Sequence, residues 1–219
     1  MVASRPMERV EQSLSAPVVI LTDGTFPSHP KPLTTLRNAR TLICTDGSAD
    51  SAIRHDLAPQ FIIGDLDSLQ KSPDDYDATV IQLPDQDSTD LEKALDWCIQ
   101  KSVREITILG ATGQRDDHTL ANILILSNYS GRVKLSMLTD YAEINYVEES
   151  YQFSCEQGQK VSLLPLQEII SVTTEGLKYR LQDEPLHRDG TGISNEAVGG
   201  NFSVTVDSGG VFVFISYPE

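Results

Sequence analysis

The sequence predicts an α/β domain with a mostly parallel sheet, followed by a small C-terminal all-β sandwich. In the first half of the 219 residues, short β-prone runs alternate with helix-like segments, which is typical of a parallel sheet with helices on its faces. After residue 141, short strand-like runs follow one another without a long amphipathic helix, which is typical of a sandwich. We place the boundary near residues 140–150. The predicted domains are therefore residues 1–145 and residues 146–219.

The predicted strands of the first half end in acidic or turn-forming residues. These strands are residues 18–21, 41–44, 61–63, 79–83 and 106–109. The predicted helices are residues 49–57, 89–100 and 118–127. The strand-like runs of the second half are residues 151–155, 160–164, 168–173, 202–206 and 211–216. Since right-handed crossovers bring the carboxyl ends of parallel strands to one rim, we expect the polar residues after the early strands to meet there.

The charge of the chain is negative and unevenly distributed. The net charge is −15, and the segment from Asp46 to His118 carries 16 acidic and 6 basic residues. Several of these aspartates follow apolar runs directly, so we expect carboxylates to line one cleft at the sheet rim. We do not expect sequence-independent nucleic-acid binding, because it requires a positive surface facing phosphates.

The sequence also predicts a cytoplasmic protein without a membrane partner. No apolar run approaches the ~18 residues of a membrane span. Residues 1–15 are polar and mixed in charge, without the apolar core of a secretory signal. Cys44, Cys98 and Cys155 are widely spaced, form no metal-ligand pair and cannot all be disulfide-bonded, which favours a reducing compartment.

The most informative motif is the apolar run of residues 61–68, which ends in two aspartates. Gly64 lets the backbone turn as it leaves the predicted strand. Asp65 and Asp67 follow, and across one intervening residue an extended chain points both carboxylates to the same side. Oxygen ligands suit Mg²⁺, which binds between carboxylates and substrate phosphates. The alternative is an ordinary polar turn, since Asp, Gly and Ser are common turn residues.

A second cluster opens the helix predicted at residues 89–100. Ser88 or Thr89 can cap this helix, and acidic residues in its first turn suit the helix dipole. Asp90 and Lys93 are three residues apart and share one helical face. They serve metal and phosphate together if they face a cleft, and form a weak surface ion pair if they do not.

A third cluster follows the strand predicted at residues 106–109. Gly110 and Gly113 permit a tight loop whose amides can approach an anion, and Arg115 offers a fork that fits phosphate oxygens. The pattern is neither a P-loop nor a dinucleotide fingerprint. For His118 we favour a hydrogen-bonded residue that fixes the loop over a catalytic base.

In combination, these clusters resemble the thiamine pyrophosphokinase family. The motifs that carry the resemblance are Asp46-Gly47, Gly64-Asp65-Leu66-Asp67-Ser68, Asp85-Gln86 with Thr89-Asp90 and Lys93, and Gly110-Ala111-Thr112-Gly113 with Arg115, Asp117, His118 and Asn122. In the second half, Gly176-Leu177-Lys178-Tyr179 and Gly190-Thr191-Gly192-Ile193-Ser194-Asn195 look like the thiamine-side motifs of that family. Without the resemblance, they would be interpreted as a core aromatic residue and a turn.

The resemblance implies an ATP-dependent diphosphotransferase that moves an intact pyrophosphoryl group from ATP to the hydroxyl of thiamine, leaving AMP. It implies Mg²⁺ on Asp65, Asp67 and Asp90. The implied catalytic residues are Asp65, Asp67, Asp90, Lys93 and Asp117. The implied substrate-binding residues are Asp46, Gly47, Gln86, Thr89, Arg115, His118, Asn122, Tyr179, Ser194 and Asn195.

The resemblance further implies a homodimer, because the family's thiamine site lies between the α/β domain of one subunit and the sandwich of the other. Tyr179 would stack on thiamine, while Ser194 and Asn195 would meet its pyrimidine ring. Two positions depart from the family: Gln114 stands where a second glycine is frequent, and Tyr179 where some members have Trp. The alternatives are a pyrophosphokinase for another alcohol, such as a hydroxymethylpterin, and a non-catalytic nucleotide-binding module.

Overall fold

A computed structural model describes residues 14–218, so the prediction for the first residues of the chain lies largely outside the described part. Within this range the helices are α1 (Pro30–Arg37), α2 (Ser48–Arg54), α3 (Asp90–Gln100) and α4 (Asp116–Asn128). The strands are β1 (Val18–Leu21), β2 (Thr41–Thr45), β3 (Phe61–Gly64), β4 (Thr79–Gln82), β5 (Glu105–Leu109), β6 (Lys134–Leu138), β7 (Ala142–Val147), β8 (Ser150–Ser154), β9 (Lys160–Pro165), β10 (Ile169–Glu175), β11 (Glu184–Leu186), β12 (Asn195–Glu196), β13 (Asn201–Val206) and β14 (Val211–Ser216). None of the described helices combines the length and apolarity needed to cross a bilayer.

Six parallel strands form the first part of a large sheet, in the order β6-β5-β1-β2-β3-β4. Strand β1 has β2 on one side and β5 on the other, so the strand order reverses at β1. Such a reversal opens a crevice beyond the carboxyl ends of the strands, where α/β sheets bind ligands. The sequence-based expectation of a mostly parallel sheet is confirmed.

The same sheet continues into an antiparallel part through β7. Strand β7 pairs with β6 at two positions, Met137↔Ile144 and Leu138↔Glu143, and with β14 along six residues. Strands β9 and β12 complete a sheet of ten, and a separate antiparallel sheet has the order β11-β10-β13-β8. The α/β part and the β-sandwich therefore share one sheet, and the predicted fold class is confirmed.

Three apolar cores hold these layers together. Helices α3 and α4 cover one face of the parallel sheet, while α1 and α2 cover the other. The third core lies between the four-stranded sheet and the antiparallel part of the large sheet. Strand β14 serves two cores by alternation, because Val211, Val213 and Ile215 face the sandwich while Phe212 packs against the helical side.

Some elements differ from the sequence prediction. Helix α1 was not predicted, since it has only eight residues and starts with two prolines, Pro30 and Pro32. Strands β6 and β7 were also missed, although both are strand-like in composition. Helix α2 ends at Arg54, three residues before the predicted end, because Asp56 takes a left-handed backbone conformation with φ 60°.

Candidate active site

A cleft of about 690 Å³ lies at the carboxyl ends of β1, β2, β3 and β5. It brings together most of the residues that the sequence singled out. The predicted residues that line it are Asp46, Asp65, Asp67, Gln86, Thr89, Asp90, Lys93, Arg115, Asp117, His118 and Asn122. Four predicted residues do not line it, namely Gly47, Tyr179, Ser194 and Asn195. As expected from the sequence, carboxylates that follow successive strands therefore lie together at one rim of the sheet.

The carboxylates of Asp46, Asp65 and Asp67 form the tightest acidic group. One oxygen from each lies within 4.8 Å of the others, close enough to share a cation. The convergence does not come from an extended chain, as the sequence reasoning assumed. Leu66, between the two later aspartates, has φ 73°, so a left-handed turn after β3 brings the carboxylates together. Asp90, which the sequence predicted as a ligand, is not part of this group.

Hydrogen bonds fix the orientation of two of these carboxylates. Gln86 Nε2 donates to Asp65 Oδ2 at 2.9 Å, and the Asp67 backbone N–H donates to Asp65 Oδ1 at 3.3 Å. Ser68 Oγ donates to Asp67 Oδ1 at 3.0 Å. The hydrogen bond from Gln86 holds the pKa of Asp65 below its ordinary value, so this carboxylate is charged at neutral pH.

Asp46 is the deepest of the three carboxylates, with 4% of the residue exposed. Its Oδ2 accepts a hydrogen bond from the Ser68 backbone N–H at 3.2 Å. Its Oδ1 is buried without a hydrogen-bond partner among the described residues. Burial raises the pKa of Asp46 to about 6, and the neighbouring aspartates add to the rise. A buried oxygen without a partner, beside two more carboxylates, fits the ligand set of a hard cation such as Mg²⁺.

Gly64, the last residue of β3, makes room for two carboxylates. A Cβ atom at this position would lie 3.1 Å from the Cβ of Asp46 and 3.1 Å from the Cγ of Asp90. Asp90 Oδ1 in turn accepts a hydrogen bond from Lys93 Nζ at 2.9 Å. The Lys93 side chain is only 5% exposed and that of Asp90 is 28% exposed, so this is a partly buried pair at the cleft wall.

Thr89 has a defined structural role at the start of α3. Its Oγ1 accepts a hydrogen bond from the Glu92 backbone N–H at 3.3 Å, and its own N–H donates to Glu92 Oε2 at 2.9 Å. This reciprocal arrangement is a capping box. Of the two capping residues that the sequence allowed, Thr89 is the cap, while Ser88 Oγ donates to Asp85.

The loop after β5 packs closely on the loop after β1. The Gly24 N–H donates to the carbonyl of Gly110 at 2.8 Å, and the Thr25 N–H donates to Thr112 at 2.8 Å. Gln114 adopts φ 59°, a conformation that glycine favours, and its Nε2 donates to the Gly24 carbonyl at 2.9 Å. The departure at Gln114 therefore keeps a glycine-like backbone and adds a tie between the two loops.

Arg115 and Asp117 pair with each other at the open side of the cleft. Arg115 Nε and Nη2 donate to the two carboxylate oxygens of Asp117 at 3.1 and 2.6 Å. Both side chains are exposed, and the hydrogen bond from Arg115 lowers the pKa of Asp117 to about 2. The bidentate pair presents a guanidinium at the cleft edge, where it can turn to an anion.

Thr119 and Asn122 fix the glycine loop, while His118 is exposed at the cleft. Thr119 Oγ1 accepts a hydrogen bond from the Gly113 N–H at 3.2 Å. Asn122 Nδ2 donates to the carbonyl of Ala111 at 2.9 Å. The loop-fixing role that the sequence reasoning favoured for His118 thus belongs to these two residues of α4.

Asp23 lines the cleft but was absent from the predicted site residues. Its Oδ2 lies 2.9 Å from where a Cβ at Gly47 would stand, which places Gly47 directly behind the cleft wall. Burial raises the pKa of Asp23, and the charge of Arg54 opposes that rise. The sequence could have indicated Asp23 as a cleft residue, because Asp23-Gly24 follows β1 in the same way as Asp46-Gly47 follows β2.

The thiamine-side residues form a separate cluster in the sandwich. The Tyr179 side chain is 64% exposed. Asn195 is buried, and its side chain accepts from the Tyr179 N–H at 3.0 Å and donates to the Tyr179 carbonyl at 2.7 Å. Ser194 is exposed and takes φ 61°. The Asn195 amide therefore holds the backbone of Tyr179 and leaves its ring in the open.

A parallel sheet with a carboxylate-lined cleft at its reversal point, joined to a sandwich, defines the class of α/β proteins that bind a ligand beyond the strand ends. Two family models match this chain: "Thiamin pyrophosphokinase, catalytic domain" over residues 33–137 and "Thiamin pyrophosphokinase, vitamin B1 binding domain" over residues 146–211. The chain belongs to the thiamin pyrophosphokinase family.

Individual relatives agree with this assignment. A thiamine pyrophosphokinase of Bacillus subtilis is 30% identical over 154 residues, which are 65% of this chain and 71% of that protein. Thiamin pyrophosphokinase 1 of Caenorhabditis elegans is 25% identical over 194 residues, which are 82% of this chain and 80% of that protein. The fold matches a crystal structure of Bacillus subtilis thiamine pyrophosphokinase with a TM-score of 0.78 at 24% identity, covering 92% of this chain and 99% of that one.

Proposed function

We propose that this protein is an ATP-dependent diphosphotransferase that converts thiamine to thiamine diphosphate and releases AMP. The observation that carries the proposal is the cleft, where three convergent carboxylates and a buried lysine stand in a chain of this family. In the reaction, the hydroxyl oxygen of thiamine bonds to the β-phosphorus of ATP. The bond from that phosphorus to the α–β bridging oxygen breaks, the hydroxyl proton is lost and AMP departs.

The metal in this proposal is Mg²⁺, held by Asp65 and Asp67 together with Asp46. The buried Oδ1 of Asp46 supports its inclusion. Asp90, the third ligand predicted from the sequence, stays a candidate because its carboxylate lies beside that of Asp46 across Gly64. When bound, Mg²⁺ neutralises charge on the triphosphate oxygens.

The cations of the cleft act on the same oxygens. Asp90 fixes the ammonium of Lys93 on the first turn of α3, so this charge is in place before the substrate arrives. Arg115 exchanges Asp117 for a phosphate, which offers its fork an equivalent pair of oxygens. Charges positioned in advance stabilise the charge that develops at the β-phosphorus, which is the main source of catalysis in such transfers.

Thiamine binding completes the proposal through a homodimer. Tyr179 is exposed and outside the cleft, so in one chain it does not face the carboxylates that hold the triphosphate. A second copy that brings its Tyr179 to this cleft supplies an aromatic surface for the thiazolium or pyrimidine ring. The three free cysteines, Cys44, Cys98 and Cys155, support a reducing cytoplasmic setting.

The test is product analysis with purified protein, ATP, Mg²⁺ and thiamine, with a hydroxymethylpterin as the competing acceptor. We expect thiamine diphosphate and AMP in equal amounts and no product from the pterin. Release of ADP would contradict the proposed bond cleavage. Asp65→Asn and Asp67→Asn are expected to abolish turnover, whereas Asp74→Asn, an exposed aspartate away from the cleft, should leave it unchanged.

A further inference from the structure

The loop that connects β3 to β4, residues 65–78, carries two of the proposed metal ligands. Asp65 and Asp67 stand at its start. Apart from one turn of 3-10 helix at Pro73–Asp75, its residues lie outside the helices and strands. Loops are more mobile than the elements that they connect. Fixed contacts are therefore needed to hold the two carboxylates close together.

A buried carboxylate and a buried hydroxyl hold this loop from the side of α2. Asp50, in the first turn of α2, accepts hydrogen bonds at both oxygens: Oδ1 from the Tyr76 hydroxyl at 2.8 Å and Oδ2 from the Gln70 N–H at 3.0 Å. The Tyr76 hydroxyl also accepts from the Lys71 N–H at 3.3 Å. Asp50 is 6% exposed and Tyr76 is 7% exposed. This pair, the Asp50–Tyr76 clamp, thus binds two successive backbone N–H groups of the loop.

The clamp has no part in the proposed chemistry, since neither Asp50 nor Tyr76 lines the cleft. An acidic residue in the first turn suits the helix dipole, but that effect does not require burial. Burying a carboxylate costs free energy unless it is hydrogen-bonded. Burial raises the pKa of Tyr76, and the hydrogen bond to Asp50 adds to the rise, so the hydroxyl stays protonated at neutral pH. The contacts with the loop therefore account for the buried position of Asp50.

The clamp is close in the chain to the metal ligands. Gln70 follows Asp67 by three residues. Between them, the Ser68 N–H donates to Asp46 Oδ2 at 3.2 Å, and Leu69 packs against the core that α1 and α2 cover. A shift of the backbone at Gln70 is transmitted to Asp67 through these two residues, and it also disturbs the hydrogen bond to Asp46.

We infer that Asp50 and Tyr76 are positioning residues for the metal ligands Asp65 and Asp67. The clamp fixes the loop so that both carboxylates converge on Asp46 before the cation binds, and binding then requires less ordering. This inference rests on the proposed function, because it concerns the Mg²⁺ of that reaction. Residues that orient metal ligands typically contribute roughly 10–100-fold to metal affinity or activity.

Tyr76→Phe tests the clamp, because it removes the hydroxyl but keeps the ring in the core and every charge of the chain. In titration calorimetry with Mg²⁺ alone, we expect about tenfold weaker binding. Hydrogen exchange should become faster at the amides of Gln70 and Lys71. Half-maximal turnover should need more Mg²⁺, while kcat at saturating Mg²⁺ stays close to that of the unchanged protein.

Tyr217→Phe is the matched control, since the Tyr217 hydroxyl donates to the Thr139 carbonyl at 2.9 Å and Tyr217 lies outside the cleft. It should keep the Mg²⁺ affinity. Unchanged Mg²⁺ affinity in Tyr76→Phe would overturn the inference, and so would an equal loss in both variants. Thiamine diphosphate formation is measured separately. A protein whose Mg²⁺ affinity depends on Tyr76 but which forms no thiamine diphosphate keeps the clamp and refutes the proposed function.

Discussion

At the scale of single residues, Asp46 lowers the stability of the folded protein when its carboxylate is ionised and no cation is bound. Its backbone takes φ 36° at the end of β2, which turns its carboxylate into the cleft instead of toward solvent. One of its oxygens is buried without a partner among residues 14–218. An ionised carboxylate in such a place is destabilising until a cation or proton neutralises it.

Replacing Asp46 by Asn should therefore stabilise the metal-free protein. Asn tolerates the left-handed backbone as Asp does, and it removes the uncompensated charge. We expect the free energy of unfolding at pH 7.5, measured with denaturant in EDTA, to rise by on the order of 1–2 kcal/mol after allowing for screening by solvent. Turnover should be lost. Asp74→Asn serves as the control with neither effect, and a less stable Asp46→Asn protein would contradict this account.

The pH dependence of stability follows from the same residue. The pKa of Asp46 is raised to about 6 in the folded chain, compared with 3.8 as its ordinary value. The folded state thus binds this proton more tightly, so its contribution to stability is complete below pH about 4 and is lost as the pH rises through about 6. Thermal unfolding in EDTA should show this loss. Asp46→Asn should remove it, and Mg²⁺ should restore stability above pH 6 in the unchanged protein.

At the scale of elements, the start of α3 combines residues that cap the helix with residues that line the cleft. Thr89 and Glu92 satisfy the first backbone N–H groups of the helix, while Asp90 and Lys93 on the neighbouring positions face the cleft. The cap fixes where the helix begins, and this in turn fixes the height of Lys93 above the sheet rim. The capping box thus accounts for the residue types at Thr89 and Glu92, and Thr89 also lines the cleft.

Removing the cap should cost stability. We expect Thr89→Ala to lower the free energy of unfolding by about 1 kcal/mol, while Thr89→Ser, which keeps the hydroxyl, stays close to the unchanged protein. Ser88→Ala is the matched control and should change stability by less than ~0.5 kcal/mol, because the Ser88 hydroxyl donates to Asp85 within an exposed loop. Chemical denaturation measures all three. A larger loss in Ser88→Ala than in Thr89→Ala would show that the cap is assigned wrongly.

Sequence patterns were sufficient where local chemistry determines the structure. The strand before Gly64 and the capped start of α3 have strong local signals, and both lie where the sequence placed them. The short helix α1 and the strand β7 depend on the sheet that they pack against, so their own residues indicate them weakly. The deep position of Asp46 was equally hidden, because it results from a backbone turn and from its neighbours Asp65 and Asp67.

At the scale of the whole molecule, the continuous ten-stranded sheet sets how the protein unfolds. Strand β7 pairs with β6 of the parallel part and with β14 of the sandwich, and residue 145 lies inside it. The parallel part and the sandwich are thus joined through β7 by hydrogen bonds as well as by the chain. Structures linked in this way lose their stability together.

Calorimetry should accordingly show one transition for the full chain, with equal calorimetric and van't Hoff enthalpies. A chain that ends at residue 145 keeps four of the six residues of β7, including both that pair with β6, but it loses β14, which pairs along the whole of β7. We expect this fragment to lack a cooperative transition. Two resolved transitions in the full chain, or a fragment that melts cooperatively, would show that the halves are independent.

The shared sheet also has a mechanical consequence for substrate access. Two domains joined by a flexible linker can close by a hinge motion. Here strands β6, β7 and β14 are neighbours in one continuous sheet. Separating the two halves would break backbone hydrogen bonds in the middle of this sheet. We therefore expect substrate entry and exit to depend on small movements at the rim, for example of the Arg115–Asp117 pair and the glycine loop.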